Sequence, residues 1–204
     1  MQKILIFDLA DVLIEGFYSF VASLSQRLGR QATDVIAGLG GEPLVALTEG
    51  RIAETTYWQS VLERTHWPIT VQELGAGVRD TFRQPVPGMP ELLMSLRQHR
   101  LVLFSDQARE WWEDIETTHA FLQCFERRFL SFGIGQTKRQ SETFRRVLAE
   151  LGCAPYNCIF IDDLLWNIER AERLGSRSHR FTSTAALRAF LAHEGLWSPK
   201  TEAS

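Results

Sequence analysis

Cysteine is scarce in this chain. Cys124, Cys153 and Cys158 are an odd number, and they form neither a Cys-x-x-Cys pair nor a Cys/His zinc spacing. A disulfide framework and a structural zinc site are thereby excluded, and free thiols suit a reducing compartment, so a cytoplasmic location is expected. Long hydrophobic runs are missing too. The apolar run that opens at Ile4 stops at Asp8, too short for the hydrophobic region of a signal peptide and far too short to span a bilayer, so no membrane partner is expected. Nor is there a basic block: 22 Lys and Arg stand against 25 Asp and Glu for a net charge of −3, which removes the electrostatic footprint of a nucleic-acid binder. The histidines, His66, His99, His119, His179 and His193, share no metal-ligand spacing. Gly38, Gly40 and Gly41 follow no strand pattern, so there is no dinucleotide-binding fingerprint.

What is present is an ordinary globular composition. With 204 residues, 45% of them hydrophobic, the chain can bury roughly 70% of its unfolded surface and needs no staple. Ile4-Leu5-Ile6-Phe7, Leu101-Val102-Leu103-Phe104 and Ile159-Phe160-Ile161 are continuous apolar runs, the signature of strands buried on both faces of a parallel sheet. Helical patterns lie between and after them: Leu92, Leu93 and Leu96; Phe144, Val147, Leu148 and Leu151 before Gly152; Leu164, Leu165, Ile168, Ala171 and Leu174 before Gly175. Strand alternating with helix predicts an α/β fold with a Rossmann-like, doubly wound parallel sheet. Residues 16–84 break the alternation, with helix-period patterns (Val21, Leu24, Leu28; Tyr57, Val61, Leu62) and no convincing strand. They read as a small helical cap inserted after the first strand, with a core of residues 1–15 and 85–197. Pro85-Val-Pro-Gly88 is its hinge, and 198–204 form a frayed tail.

Ligands of open α/β sheets bind at the carboxyl ends of the strands. Here those ends are acidic: Asp8 and Asp11 after the first run, Ser105 and Asp106 after the second, Asp162 and Asp163 after the third. If the strands are neighbours, five carboxylates gather at one edge with Lys138 as the nearby cation. Such groups repel and raise one another's pKa values unless a divalent ion neutralises them. Magnesium is the natural candidate, because it takes a few carboxylate and carbonyl oxygens and leaves room for water and phosphate. The plainer alternative is that Asp8, Ser105 and Asp162 cap the helices that follow them.

These residues resemble the motifs of the haloacid dehalogenase-like hydrolases, most of whose members are magnesium-dependent phosphatases, over about Ile4 to Leu191. Ile-Leu-Ile-Phe-Asp8-Leu-Ala-Asp-Val-Leu resembles the family's first motif, which implies that Asp8 is the nucleophile. Leu-Val-Leu-Phe-Ser105 resembles the second, whose hydroxyl holds a phosphoryl oxygen. Gly135-Gln-Thr-Lys138-Arg139 is loosely similar to the third, Gly-x-x-Lys-Pro, and Lys138 is one of only three lysines in the chain, with Lys3 and Lys200. Ile-Phe-Ile-Asp162-Asp163 resembles the fourth, an acid pair. The insert falls where the family places its helical C1-type cap, and the chain from Pro85 resembles the return to the core. The resemblance implies Mg²⁺ held by Asp8, the carbonyl of Ala10 and Asp163, with Asp162 acting through a metal-bound water. It also implies catalysis by Asp8, Ser105 and Lys138 on a small phosphorylated metabolite, in a monomer or weak dimer.

The match departs from the family at Ala10, where the typical phosphatase has the aspartate that protonates the leaving oxygen. Loss of a general acid or base costs roughly 10²- to 10⁴-fold. Asp11 stands where glycine is usual and reads as a turn residue rather than a displaced acid. Asp106, where Asn is common, adds negative charge beside the phosphate site. In the insert, Phe17, Tyr18, Phe20, Arg51, Tyr57 and Trp58 are candidates for a pocket, but aromatics at helical spacing belong more often to a packing core and are left out of the site. Two other functions are weighed. One is a catalytically impaired fold that binds a phospholigand or partner. The other is a metal-free 2-haloacid dehalogenase, which Trp166 and Asn167 faintly resemble and which the acid pair opposes.

Overall fold

The computed structural model describes residues 3–198, so the tail from 199 onward lies outside the described residues. Strand β1 (Ile4–Phe7) is followed by helices α1 (Phe17–Leu28), α2 (Ala32–Leu39), α3 (Glu42–Thr48), α4 (Glu54–Thr65) and α5 (Val71–Phe82). Helix α6 (Met89–Ser95) leads to β2 (Arg100–Ser105), then α7 (Arg109–Thr118), β3 (Arg127–Leu130), α8 (Ser131–Ile134) and α9 (Ser141–Leu151). The chain closes with β4 (Cys158–Asp162), α10 (Leu165–Arg173), β5 (Arg177–Arg180) and α11 (Thr184–His193). The five strands form one parallel sheet in the order β3-β2-β1-β4-β5. This is the doubly wound α/β sheet the strand and helix patterns predict.

The continuous apolar runs have the physical origin expected of them. Leu5, Phe7, Leu101, Leu103, Ile159 and Ile161 point into one core cluster, while Ile4, Ile6, Val102, Phe104, Cys158 and Phe160 point into another. Both faces of β1, β2 and β4 are thus covered, so neither needs polar side chains. Two strands were not legible in the sequence. β3 reads Arg-Arg-Phe-Leu and β5 reads Arg-Ser-His-Arg, and both are sheet edges, where exposed charged side chains guard open backbone groups against pairing with another chain. Leu165, counted in the apolar face of the last predicted helix, is exposed. Cys153 and Cys158 bring their sulfurs to 3.2 Å as free thiols, a proximity their linear spacing does not announce. No helix of the described residues is long and apolar enough to cross a membrane.

Helices α1–α5 leave the sheet after β1 and return to it through a short two-stranded neck. Glu15 N donates to Gln84 O at 2.7 Å, and Val86 N donates to Leu13 O at 2.9 Å. Gly88 ends the neck at φ +78°, a backbone conformation that glycine adopts without strain, and opens α6. The inserted helices share their apolar cluster with the sheet, from Leu5 and Phe7 through Trp111 to Tyr57 and Trp58. Several polar links tie the layers, two of them built on Ser131 and Glu54. Ser131 Oγ, at the start of α8, donates to Thr48 O at 2.5 Å and accepts from Gln107 N.

The second link is buried Glu54. It accepts from Trp58 Nε1 at 2.8 Å, Trp111 Nε1 at 2.9 Å and Arg79 Nη1 at 2.8 Å, joining α4 and α5 to α7. Burial alone would raise the pKa of Glu54, but the bonds from Arg79 and the two indoles outweigh it and hold the group below its ordinary value. This stabilisation is therefore present above the ordinary carboxylate pKa and is lost as pH falls through the lowered one. Glu54→Ala leaves two indole N–H groups and a guanidinium without their acceptor, and urea unfolding should show a loss of about 3 kcal/mol. A loss within experimental scatter would mean that water replaces the carboxylate without cost.

Candidate active site

The strand order has its switch point between β1 and β4, because the chain proceeds from β1 to β2 and β3 on one side and to β4 and β5 on the other. Crevices at such points, outside the carboxyl ends of the strands, are where open α/β sheets bind ligands. Asp8 follows β1 directly, its backbone N–H bonded to Ile161 O at 2.9 Å, and Asp162 ends β4 in the adjacent position. One oxygen from each of Asp8, Asp162 and Asp163 lies within 4.8 Å of the others.

Lys138 sits in the turn between α8 and α9 and is 1% exposed. Its Nζ is 2.8 Å from Asp8 Oδ1 and 2.7 Å from Asp162 Oδ2, with the ring centres of Phe104 and Phe160 at 5.4 and 5.6 Å. Burial opposes its charge, yet the carboxylates of Asp162, Asp8 and Asp106 overcome that and raise its pKa above the ordinary lysine value. Asp106 supplies more than charge. Its carboxylate accepts the backbone N–H of Lys138 at 2.9 Å and so fixes the turn that delivers the ammonium.

The acids respond to this crowding. Burial pushes Asp8 up to about 8, with Asp162 and Asp163 adding to the rise and Lys138 opposing it. Burial also lifts Asp163 to about 7, helped by Asp162 and Asp11, and Asp106 to about 6. Asp162 is buried and engaged: Lys138 Nζ, Leu164 N at 2.9 Å and Asn167 Nδ2 at 3.1 Å all donate to it. Asn167, which the sequence marks only by its likeness to a dehalogenase segment, thus holds the Asp162 carboxylate. No linear signal marked it, because its partner is another side chain of the site.

Ser105 ends β2 at 1% exposure, and its Oγ has no hydrogen-bond partner among the described residues. It does not itself line the cavity described next. No hydrogen bond reaches the carbonyl oxygen of Ala10 among the described residues. Asp11 adopts φ +60° and accepts from Gly16 N at 3.1 Å, at the start of α1. A Cβ at Gly16 would lie 2.4 Å from Asp11 Oδ2, so glycine is required there. The turn reading of Asp11 accounts for its geometry, and burial raises the pKa of its carboxyl group, which also lines the cavity described next.

A cavity of about 370 Å³ opens over these groups. Asp8, Asp11, Asp106 and Asp163 line it with Lys138 and Arg139, and no histidine is among its lining residues. Ala10 is on its floor, and its walls include Phe17 and Tyr18. The aromatic residues of the insert therefore divide: Phe20, Tyr57 and Trp58 are core, as their spacing suggests, whereas Phe17 and Tyr18 face the cavity. Arg51 belongs elsewhere, paired with Glu42 and Glu49.

A family model described as haloacid dehalogenase-like hydrolase matches residues 2–175. The chain belongs to that family. Among solved structures, this hydrolase is similar to a HAD family enzyme from Bacteroides thetaiotaomicron in complex with magnesium and inorganic phosphate. The TM-score is 0.72 at 20% identity, over 90% of this chain and 96% of the other. A protein from Porphyromonas gingivalis, described as a predicted HAD-like family hydrolase, aligns at TM-score 0.73 and 21% identity over 95% and 98% of the two chains. L-2-haloacid dehalogenase from Xanthobacter autotrophicus, with chloropropionic acid covalently bound, aligns at TM-score 0.67 and 15% identity over 97% and 85%. At these identities the likeness is one of fold.

Proposed function

We propose that this hydrolase is a magnesium-dependent phosphatase acting on a small phosphorylated metabolite, with α1–α5 as the cap over its cavity. The observation that carries the reading is the clustering of Asp8, Asp162 and Asp163 against a single buried ammonium. Four carboxylates and two cations line the cavity, and a phosphate dianion adds to the negative side. A divalent cation restores the balance, which neutral chemistry at this site would not require.

Asp8, Asp163 and the Ala10 carbonyl are the groups suited to hold Mg²⁺, since Asp162 is already engaged by donors from the protein. The ion supplies electrostatic stabilisation of the phosphoryl oxygens when bound. Asp8 attacks phosphorus through a carboxylate oxygen, the bond to the leaving oxygen breaks, and that oxygen departs with the electron pair. Lys138 offsets charge on Asp8 and the phosphoryl group. Water then cleaves the aspartyl-phosphate and releases phosphate. Asp162, held by Asn167, positions Lys138. The two acids after β4 weigh against a dehalogenase, because they place more negative charge beside a carboxylate nucleophile and an anionic substrate.

The test is release of phosphate from acetyl phosphate and p-nitrophenyl phosphate, whose leaving groups depart without a proton donor. Turnover with Mg²⁺ that stops with EDTA is expected, and equal rates in both would sink the metal-dependent scheme. Ala10 favours one other reading, a site that binds phosphoryl ligands without turning them over, and silence on both substrates would select it. Ala10→Asp restores an acid at the cavity floor. It should raise turnover of alkyl phosphates by about 10²-fold or more while changing nitrophenyl phosphate little. An equal effect on both classes would mean that leaving-group protonation is not what position 10 controls.

A further inference from the structure

The cavity wall and its floor point the same way. Above the acidic end, the cavity is walled by Phe17, Tyr18, Val21, Leu44, Phe82 and Trp111. Several polar groups that share the lining are occupied, while Asn167 Oδ1 is buried without a partner. Thr48 Oγ1 donates to Leu44 O at 2.9 Å within its own helix, Gln107 Oε1 accepts from Ala108 N at 3.2 Å, and the Asn167 amide N–H groups are held by Asp162. A sugar or polyol phosphate brought here would set hydroxyls against this apolar wall, each hydrogen bond lost there costing about 1–3 kcal/mol. An aromatic ring instead covers apolar surface and finds ring edges and faces to pack on. Room is adequate, since cavities from about 300 Å³ upward accommodate small organic ligands and this one has about 370 Å³.

The floor adds an independent argument. Ala10 can donate no proton, and Asp11 turns Oδ1 to the Gly16 N–H. A leaving oxygen that takes no proton from position 10 departs as an anion. An alkoxide does so poorly, whereas a phenolate, whose conjugate acid has a pKa of about 10, does so readily.

Building on the phosphatase reading above, we propose that the substrate is an aryl phosphate, a phosphomonoester of a small phenol with the ring seated between α1, α5 and α7. Asp8 forms the bond to phosphorus as the bond to the aryl oxygen breaks. The phenolate leaves with the electron pair and takes its proton from water, and water then hydrolyses the aspartyl-phosphate to inorganic phosphate.

The experiment compares kcat/KM of the wild-type protein with Mg²⁺ for five substrates. Phenyl and 1-naphthyl phosphate are aromatic with a phenolate leaving group, benzyl phosphate is aromatic with an alkoxide, glucose 6-phosphate is polar with an alkoxide, and acetyl phosphate is small with a good leaving group. The aryl phosphates should exceed glucose 6-phosphate by about 10²-fold or more. Benzyl phosphate should turn over slowly and inhibit competitively, with glucose 6-phosphate a much weaker inhibitor. Tyr18→Ser, at a position 54% exposed and so tolerant of change, should lower the ratio of 1-naphthyl to acetyl phosphate by about fivefold. Asp8-dependent turnover of acetyl phosphate, with glucose 6-phosphate matching the aryl esters, would overturn the aryl assignment and leave the phosphatase reading intact. No turnover of any ester would overturn the phosphatase reading. Calorimetry with 1-naphthyl phosphate and glucose 6-phosphate then decides the ligand class, tighter naphthyl binding upholding the aromatic assignment and equal or weaker binding refuting it.

Discussion

Asp8→Asn removes hydrolysis of acetyl phosphate by about 10⁴-fold or more and leaves the protein folded. The amide cannot donate an electron pair to phosphorus as a carboxylate does, so the covalent route closes, and the loss is expected in kcat rather than KM. Structure should survive for an electrostatic reason. Asp8 is 7% exposed and shares its surroundings with Asp162 and Asp163, so its negative charge is costly there, and asparagine keeps the shape while removing the charge. The thermal midpoint of the variant without metal should equal or exceed that of the wild type. Retained activity would eliminate Asp8 as nucleophile, and a collapsed midpoint would recast Asp8 as a structural partner of Lys138. Magnesium affinity offers a second readout: it should fall in the variant, because one of the anionic ligands has become neutral.

Much of this site was legible in the sequence because its acids sit where strands end, and the central strands announce themselves by burial on both faces. Asp8, Ser105, Asp162 and Asp163 stand at strand ends, whereas Lys138 lies in the turn between α8 and α9 and is marked only by its likeness to the family's third motif. The groups that escaped notice act through geometry. Asp106 was read as added charge, yet it holds the backbone N–H of Lys138. Asn167 works through Asp162, five residues back along the chain. Phe17 and Tyr18 differ from Phe20 only in which side of α1 they present, and the same helical period serves a cavity wall and a packing core alike. Edge strands β3 and β5 stayed hidden because the arginines that protect them erase the apolar signal.

Lys138→Met should be the most disruptive single change in the core. The ammonium is enclosed by Asp8, Asp162, Phe104 and Phe160 at 1% exposure, so methionine fills the space but leaves two carboxylates facing one another without their cation. Removing one partner from a buried ion pair costs about 3–5 kcal/mol, which urea unfolding without metal would report directly. Turnover of acetyl phosphate should drop by about 10²- to 10³-fold, the scale of losing one preorganised electrostatic contact to the transferring group. Arginine is no substitute, because its larger planar guanidinium enters a site where Lys138 is already 1% exposed. Magnesium separates the two effects. A divalent ion at Asp8 and Asp163 partly replaces the missing charge, so it should stabilise Lys138→Met more than it stabilises the wild type while leaving activity low. If the stability is unchanged without metal, Asp162 does not depend on Lys138 for its charge balance. If magnesium instead restores turnover, the lysine serves the fold and takes no part in the chemistry.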